Sequence, residues 1–489
     1  MENHFFRNTV LEGVYWNIIE SVVRNIFRII IALFLARLLE PSDYGLIGMI
    51  IIFITLGSIL ADSGLSNALI QNRNPLPSDF STVFLFNICI GLFIYLVLYL
   101  CAPLIADFFD QPLLVLIIRV ASLNIIISSF SIVQNSVFSR DMNFRVLTKI
   151  SLLSILISGM TGIILAYFGF GVWALIAQGI LMSVITSTLL WYFSEWKPSL
   201  VFSRDSFKSL YQFGSKLMLA NIINSIFQNI YLIVIGKIFT IRELGFYSKA
   251  ESLARAPVQN IYSIFYKVFF PAFSMIQDDN LKLKLVFKKV LKTSSFIVFP
   301  IMLGLIPISK PFILLILTEK WDGSIIYLQI LCLTFLLYPF HALNLNILII
   351  KKRSDLVLKL EYFKKGIIVL AVASTFKIGL LALIIGQLIS SLIAFFINSQ
   401  YSGRLINYPV SEQLKDMLPY SAISLITALL LFVPVILLGE EHLLQLVIQL
   451  IFGTLFYIIV SRWVNLSGYN ETRKLVIHYT SDAFSRFKK

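Results

Sequence analysis

Chemistry-bearing side chains are scarce in this sequence. It holds four histidines and three cysteines in 489 residues, and only 13% of the chain is charged. His4 and His478 fall in polar tails, His442 falls in a short turn, and only His341, near Pro339, lies in an apolar run. A single histidine with no Cys, His or carboxylate at ligand spacing makes no metal site. Cys89, Cys101 and Cys332 each sit in apolar stretches without paired spacing, so they read as buried thiols. No glycine-rich loop is followed by a phosphate-binding lysine, which excludes a built-in ATPase. The strand-like alternation of a β-barrel is missing. A cleavable signal peptide is not expected, because Met1 to Gly13 is polar and the first apolar segment carries internal charges.

What the sequence has in abundance is hydrocarbon. It is 58% hydrophobic, and apolar runs of about 20 residues recur from end to end, so the chain reads as an all-α polytopic membrane protein. About fourteen spans are expected. They run roughly 14–38, 44–70, 81–105, 113–138, 146–168, 171–193, 210–236, 244–272, 293–317, 324–350, 356–376, 379–401, 417–438 and 443–462. Basic residues gather in alternate loops: Arg140, Arg145 and Lys149; Lys197, Arg204 and Lys208; Lys282 to Lys292; Lys351, Lys352 and Arg353; and the tail from Arg462 to Lys489. The opposite loops hold Arg37, Lys237, Arg242, Lys320 and Lys377, with acidic turns at Asp107/Asp110 and Glu440/Glu441. The positive-inside rule then places both termini in the cytoplasm. It also accounts for the net charge of +14 without a nucleic-acid partner. The run KLKLVFKKVLK at 282–292 has two open readings, an amphipathic helix on anionic headgroups or a topology-setting basic loop.

An internal repeat organises the chain. LARLLEPSDYGL at 35–46 and VIGKIFTIRELGF at 234–246 align Arg37 with Lys237 and Gly45 with Gly245. YFGFGVWALIAQG at 167–179 and TFKIGLLALIIGQ at 375–387 align Gly171 with Gly379 and Ala174 with Ala382. The matched segments keep the same polarity across the membrane, so the two halves read as parallel repeats around a central cavity. The expected division is an N-lobe at 1–193, a cytoplasmic linker at 194–209, a C-lobe at 210–401, and two further helices with a tail at 402–489.

The first span, Val14 to Leu38, carries Glu20, Arg24 and Arg28 at steps of four, with Asn17 widening the same helical stripe. At ~1.5 Å per residue both arginines lie within ~3–4 Å of the segment midpoint, too deep for easy snorkelling. Each costs roughly 2.5–3.5 kcal/mol to insert, and an ionisable side chain at that depth points to a substrate or ion pathway. A structural pair with Glu20 is the competing reading. Arg255 on the eighth span follows Glu251 by four residues, so an intrahelical ion pair stands beside a pathway role. Asp62 fits either a charge or proton partner or a helix-end residue. Asn224 and Gln228, with Asn221 and Asn229, give the seventh span an amide stripe suited to sugar hydroxyls or to bridging helices. Arg119 reads as a snorkelling residue.

LARLLEPSDYGL at 35–46, ADSGLSNALIQ at 61–71, GVWALIAQ at 171–178, GFYSKAESLARAPVQ at 245–259 and FPAFS at 270–274 together resemble Wzx-type polysaccharide flippases. These belong to the multidrug/oligosaccharidyl-lipid/polysaccharide exporter superfamily, and the sequence is most similar to the colanic-acid-exporter-like branch. The resemblance implies a non-enzymatic inner-membrane flippase. It would move an undecaprenyl-diphosphate-linked oligosaccharide to the periplasmic leaflet by alternating access, among membrane lipids and alongside a polysaccharide polymerase and chain-length regulator. Arginine suits diphosphate because its planar fork binds oxygens bidentately and stays charged. On this reading Arg24, Arg28 and Arg255 hold the head group, with Asn17, Asn224 and Gln228 beside it. No cofactor is expected; coupling to H+ or Na+ through Glu20, Asp62 or Glu251 is left open.

Three rivals remain: a multidrug/cation antiporter of the same superfamily, which would want an acidic rather than basic midplane; a membrane-bound polymerase or acyltransferase; and a scaffold without transport. At the offset that aligns Gly45 with Gly245, Glu20, Arg24 and Arg28 fall on Ala220, Asn224 and Gln228. The polar stripe repeats, but the charge does not.

Overall fold

The computed structural model describes residues 24, 26–72 and 74–473. Asn17 and Glu20 lie outside the described residues. Within them the chain is all-helical, with no β-strand, and it is a multi-pass membrane protein. Helix is the form a Leu-, Ile- and Phe-rich chain must take where no water can satisfy its backbone.

The helices are α1 (26–38), α2 (Pro41–Asp62), α3 (Leu65–Gln71), α4 (Pro77–Phe108), α5 (Leu113–Ala121), α6 (Leu123–Ser129), α7 (Ile132–Arg140), α8 (Phe144–Tyr167), α9 (Val172–Phe193) and α10 (Arg204–Ile238). They continue as α11 (Ile241–Met275), α12 (Asn280–Phe312, running into a π turn Ile313–Leu317), α13 (Ser324–Leu336), α14 (Tyr338–Ile350), α15 (Ser354–Thr375), α16 (Leu380–Leu405), α17 (Val410–Leu430), α18 (Phe432–Leu437) and α19 (His442–Trp463). Ten segments among the described residues are long and apolar enough to cross a membrane, and the bent series α5–α7, broken by 44°, makes an eleventh. Of the about fourteen spans expected, the first lies partly outside the described residues, and the eighth and eleventh correspond to α11 and α15, which fall outside that set. The physical reason is charge: Lys249, Glu251 and Arg255 on α11, and Lys359, Glu361, Lys364 and Lys365 on α15.

Helix starts follow their sequence signals. Pro41 opens α2 with the Glu40 N–H donating to Asp43 Oδ2 at 3.0 Å, and Pro77 opens α4 with the Leu76 N–H donating to Asp79 Oδ2 at 3.0 Å. Thr240 and Glu243 make the same arrangement at α11, with bonds of 3.0 and 3.2 Å. Asp279 caps α12 by accepting from the Lys282 N–H at 3.0 Å, a bond that holds its carboxyl below the usual carboxylate range.

The chain folds as two compact units, Met1–Gly245 and Phe246–Lys489. In the first, α8 and α9 form a hairpin, and α10 packs along α2 and α3. The repeat has a physical counterpart here. A Cβ on Gly45 would lie 2.0 Å from the Ile241 carbonyl oxygen, and one on Gly245 would lie 1.8 Å from that of Pro41. Positions 41 and 45 thus meet 245 and 241 reciprocally, backbone against backbone, as a two-fold-like contact requires. Gly171 and Gly379, the other aligned pair, stand at the N-caps of α9 and α16.

In the second unit the core is aromatic, built on Phe273, Phe287, Phe340, Phe395 and Tyr408. The basic run at 282–292 is the first part of α12, neither a loop nor a separate surface helix. Leu283, Phe287, Val290 and Leu291 are buried, while Lys284, Lys288 and Lys292 face α17. Lys284 pairs with Glu412 at 2.7 Å, and Lys288 and Lys292 pair with Asp416 at 3.0 and 3.1 Å.

Candidate functional site

The charged stripe of the first span begins with the position of α1. Ile31, Leu35 and Leu39 are buried, and a Cβ on Gly159 would stand 2.2 Å from Ile31 Cδ1, so α1 seats closely on α8. Ile26, Ile30 and Phe34 are exposed on the opposite face, as a lipid-facing side should be. Arg24 and Arg28, one turn apart and spaced four, three and four residues along the stripe that leads to Ile31 and Leu35, continue the packed face. Arg24 is half-buried and Arg28 is exposed. Arg28 lines a cavity of about 220 Å3 walled by α1, α2, α8 and α9. Tyr44, Ser158 and Gln178 supply its other polar groups, and Ile31, Leu35, Leu175 and Met182 an apolar wall. A guanidinium beside an amide, two hydroxyls and apolar carbon can hold an anion whose attached chain is partly apolar.

Sequence reasoning missed Tyr44, Ser158 and Gln178, which lie up to 150 residues from Arg28 along the chain. None carries a charge that would mark it within an apolar run.

The amide stripe of the seventh span sits on α10. Asn221, Asn224 and Gln228 are exposed, while Ser225, Leu232 and Ile235 are buried. Asn229 turns inward and donates from Nδ2 to the Ser225 carbonyl at 2.8 Å, so its amide serves the helix itself.

Asp62 ends α2, where Ser63 and Gly64 adopt φ of +51° and +71°. Its Oδ1 accepts from the Ser66 N–H at 3.2 Å and its Oδ2 from the Ser66 hydroxyl at 2.9 Å. A Cβ on Gly64 would lie 2.3 Å from the Gly214 carbonyl oxygen of α10. The motif ADSGLSNALIQ is thus a helix break, capped by Asp62 and tucked under α10.

In the second unit Glu251 and Arg255 form an intrahelical ion pair on α11, with side chains 11% and 28% exposed. The Arg255 guanidinium carbon lies 5.1 Å from the centroid of the Phe335 ring, and its Nε is buried without a hydrogen-bond partner. Nearby on α11, Tyr247 donates to Gln387 Oε1 at 3.0 Å, and Lys249 is buried, 4% exposed. Arg119, read as snorkelling, stacks over Tyr99 at 4.2 Å and donates to its carbonyl at 3.4 Å. Of the residues singled out in the sequence, therefore, Arg24 with Arg28, Asn224 with Gln228, and Glu251 with Arg255 are brought together as groups. Asp62 is joined to Ser66. Among the described residues no three His, Cys, Asp or Glu side chains gather as metal ligands would.

Comparison with known proteins gives three points of reference. A family model described as polysaccharide biosynthesis protein matches residues 34–326. The chain is 28% identical over 402 residues to the lipopolysaccharide biosynthesis protein WzxC of Escherichia coli (strain K12), covering 80% of this chain and 81% of that one. Its fold is similar to that of the lipid II flippase MurJ in an inward closed conformation, with a TM-score of 0.71 at 16% identity, covering 92% of this chain and 99% of that one.

Proposed function

The chain belongs to the polysaccharide biosynthesis protein family, and from that premise we propose that it is a non-enzymatic flippase of lipid-linked saccharides. The substrate proposed is an undecaprenyl-diphosphate-linked oligosaccharide, moved by alternating access from the cytoplasmic to the periplasmic leaflet of a bacterial inner membrane for surface-polysaccharide assembly. The polyprenyl tail already prefers lipid, so the head group sets the barrier: a diphosphate and its sugars cannot cross hydrocarbon without a polar or cationic path.

The observation that carries this reading is Arg28. It is exposed at a cavity with an apolar wall, one turn from Arg24, on a helix whose opposite face is apolar and exposed. The two arginines would hold the diphosphate, and the exposed amides of α10 would meet the neutral sugars. Within the second unit, Arg255, paired with Glu251, is the corresponding candidate for head-group contact. A polysaccharide polymerase and a chain-length regulator are the partners this role calls for. Coupling to H+ or Na+ would fall to Glu20 or Glu251, since the carboxylate oxygens of Asp62 are taken up by Ser66.

The test is transfer of the lipid-linked repeat to the periplasmic leaflet in cells carrying Arg24→Ala plus Arg28→Ala at normal protein level. Loss of transfer, with the protein still folded in the membrane, is expected. Full transfer would remove the diphosphate role.

A further inference from the structure

The lysines of α12 form a second cationic cluster, in the second unit. Lys288, Lys289 and Lys292 line a cavity of about 200 Å3 together with Leu285, Thr293, Ser467, Gly468 and the carboxylate-bearing Glu471. Around it Lys284 pairs with Glu412 at 2.7 Å, Lys288 with Glu412 and Asp416 at 3.3 and 3.0 Å, Lys292 with Asp416 at 3.1 Å, and Lys289 with Glu471 at 2.6 Å. Four ammonium groups meet three carboxylates, so one positive charge is left over. Each ammonium carries three donors and no acceptor. Lys289 and Lys292 are each held by a single carboxylate and so retain donors for a ligand in the cavity.

Two features fix the depth of this cavity. On α12 no lysine follows Lys292 until Lys310 in the last turn, and the apolar run begins just beyond Thr293, with Phe296, Val298 and Phe299. On α19 the last residue is Trp463, 86% exposed, and an exposed Trp at the end of a span marks the interfacial belt. Ser467 and Gly468 follow it by about one turn. The cavity therefore sits at headgroup level, on the face to which the charge bias assigns the cytoplasm.

We propose that this cavity binds the phosphate of an anionic phospholipid headgroup, which would fix α12, α17 and the 467–473 segment at the membrane surface. A headgroup of charge −1, such as phosphatidylglycerol, balances the leftover cation, whereas zwitterionic phosphatidylcholine does not. The Thr293 hydroxyl is spent on the Lys289 carbonyl at 3.0 Å, while the Ser467 hydroxyl, 3.1 Å from the Tyr420 hydroxyl, can accept from that phenol and donate to a phosphate oxygen.

The test uses the full-length protein purified in detergent and supplied with equal amounts of phosphatidylglycerol and phosphatidylcholine, with retained lipid counted by native mass spectrometry. Wild type is expected to retain phosphatidylglycerol several-fold over phosphatidylcholine. Lys289→Gln plus Lys292→Gln should abolish most of that preference, and the corresponding double arginine variant should keep it. Lys289→Gln alone, at a side chain 57% exposed, supplies a variant that folds if the double one does not, and a partial loss is expected there. A control removing as much charge elsewhere, Lys282→Gln plus Lys352→Gln, should leave the preference intact. Unchanged retention in the cavity variants, or equal loss in the control, would overturn the site. So would binding of inorganic phosphate with no preference between the lipids.

Discussion

Asp62 shows how one carboxylate in a membrane span is assigned by what it touches. In the sequence it had equal claims as an ion carrier and as a helix-end residue. In the structure both its oxygens are engaged by Ser66 across the Ser63–Gly64 break. An N-terminal cap needs an acceptor oxygen, which asparagine also supplies, whereas a proton carrier needs an ionisable group. Asp62→Asn is therefore expected to keep transfer of the lipid-linked repeat near wild type. Asp62→Ala should lower stability by about 0.5–2 kcal/mol, read by thermal unfolding of the purified protein. Abolished transfer in the asparagine variant, with a normal unfolding midpoint, would return Asp62 to the list of carriers. The Glu251–Arg255 pair was legible from its spacing of four because both partners lie on one helix. The surroundings of Arg28 were not, because Tyr44, Ser158 and Gln178 reach it from three other helices.

Among the elements, the sharpest constraint is the contact between the turns that open α2 and α11. Backbone approach at 2.0 and 1.8 Å from a notional Cβ admits only hydrogen at positions 45 and 245, and an added carbon must part the turns or distort them. Gly48 offers a contrast on the same helix, since its Cβ would meet the movable Leu244 side chain at 3.3 Å. Gly45→Ala is expected to cost roughly 3 kcal/mol, the upper end of ordinary overpacking. Gly48→Ala should stay within about 1 kcal/mol. Folded yield and unfolding midpoint in the same detergent distinguish the two. The repeated LLEPSDYGL and FTIRELGF turns exposed this pairing in the sequence as an alignment of glycines. Their physical contact is a property of the folded chain.

For the whole molecule, the distribution of charge makes a topological prediction. In a chain whose cysteines Cys89, Cys101 and Cys332 are replaced by serine, Glu440→Cys is expected to react with a membrane-impermeant thiol reagent in intact cells. Lys352→Cys should react only after the membrane is permeabilised. The reverse pattern would invert the assigned orientation and, with it, the direction of substrate transfer.

The sequence by itself determined the class of this protein, because hydrocarbon runs of membrane length leave a chain no alternative to helices. It also determined the repeat and the arginine stripe of α1, since both are periodic along one strand of text. Only the tertiary structure decided what those helices enclose. It showed that Arg28 opens on a cavity shared by four helices, that Lys284 and Lys292 of α12 are matched to α17 more than a hundred residues later, and that the polar motif at 61–71 is a capped break. Each of these depends on which faces meet, and apolar faces of equal hydrophobicity do not encode their partners until they pack.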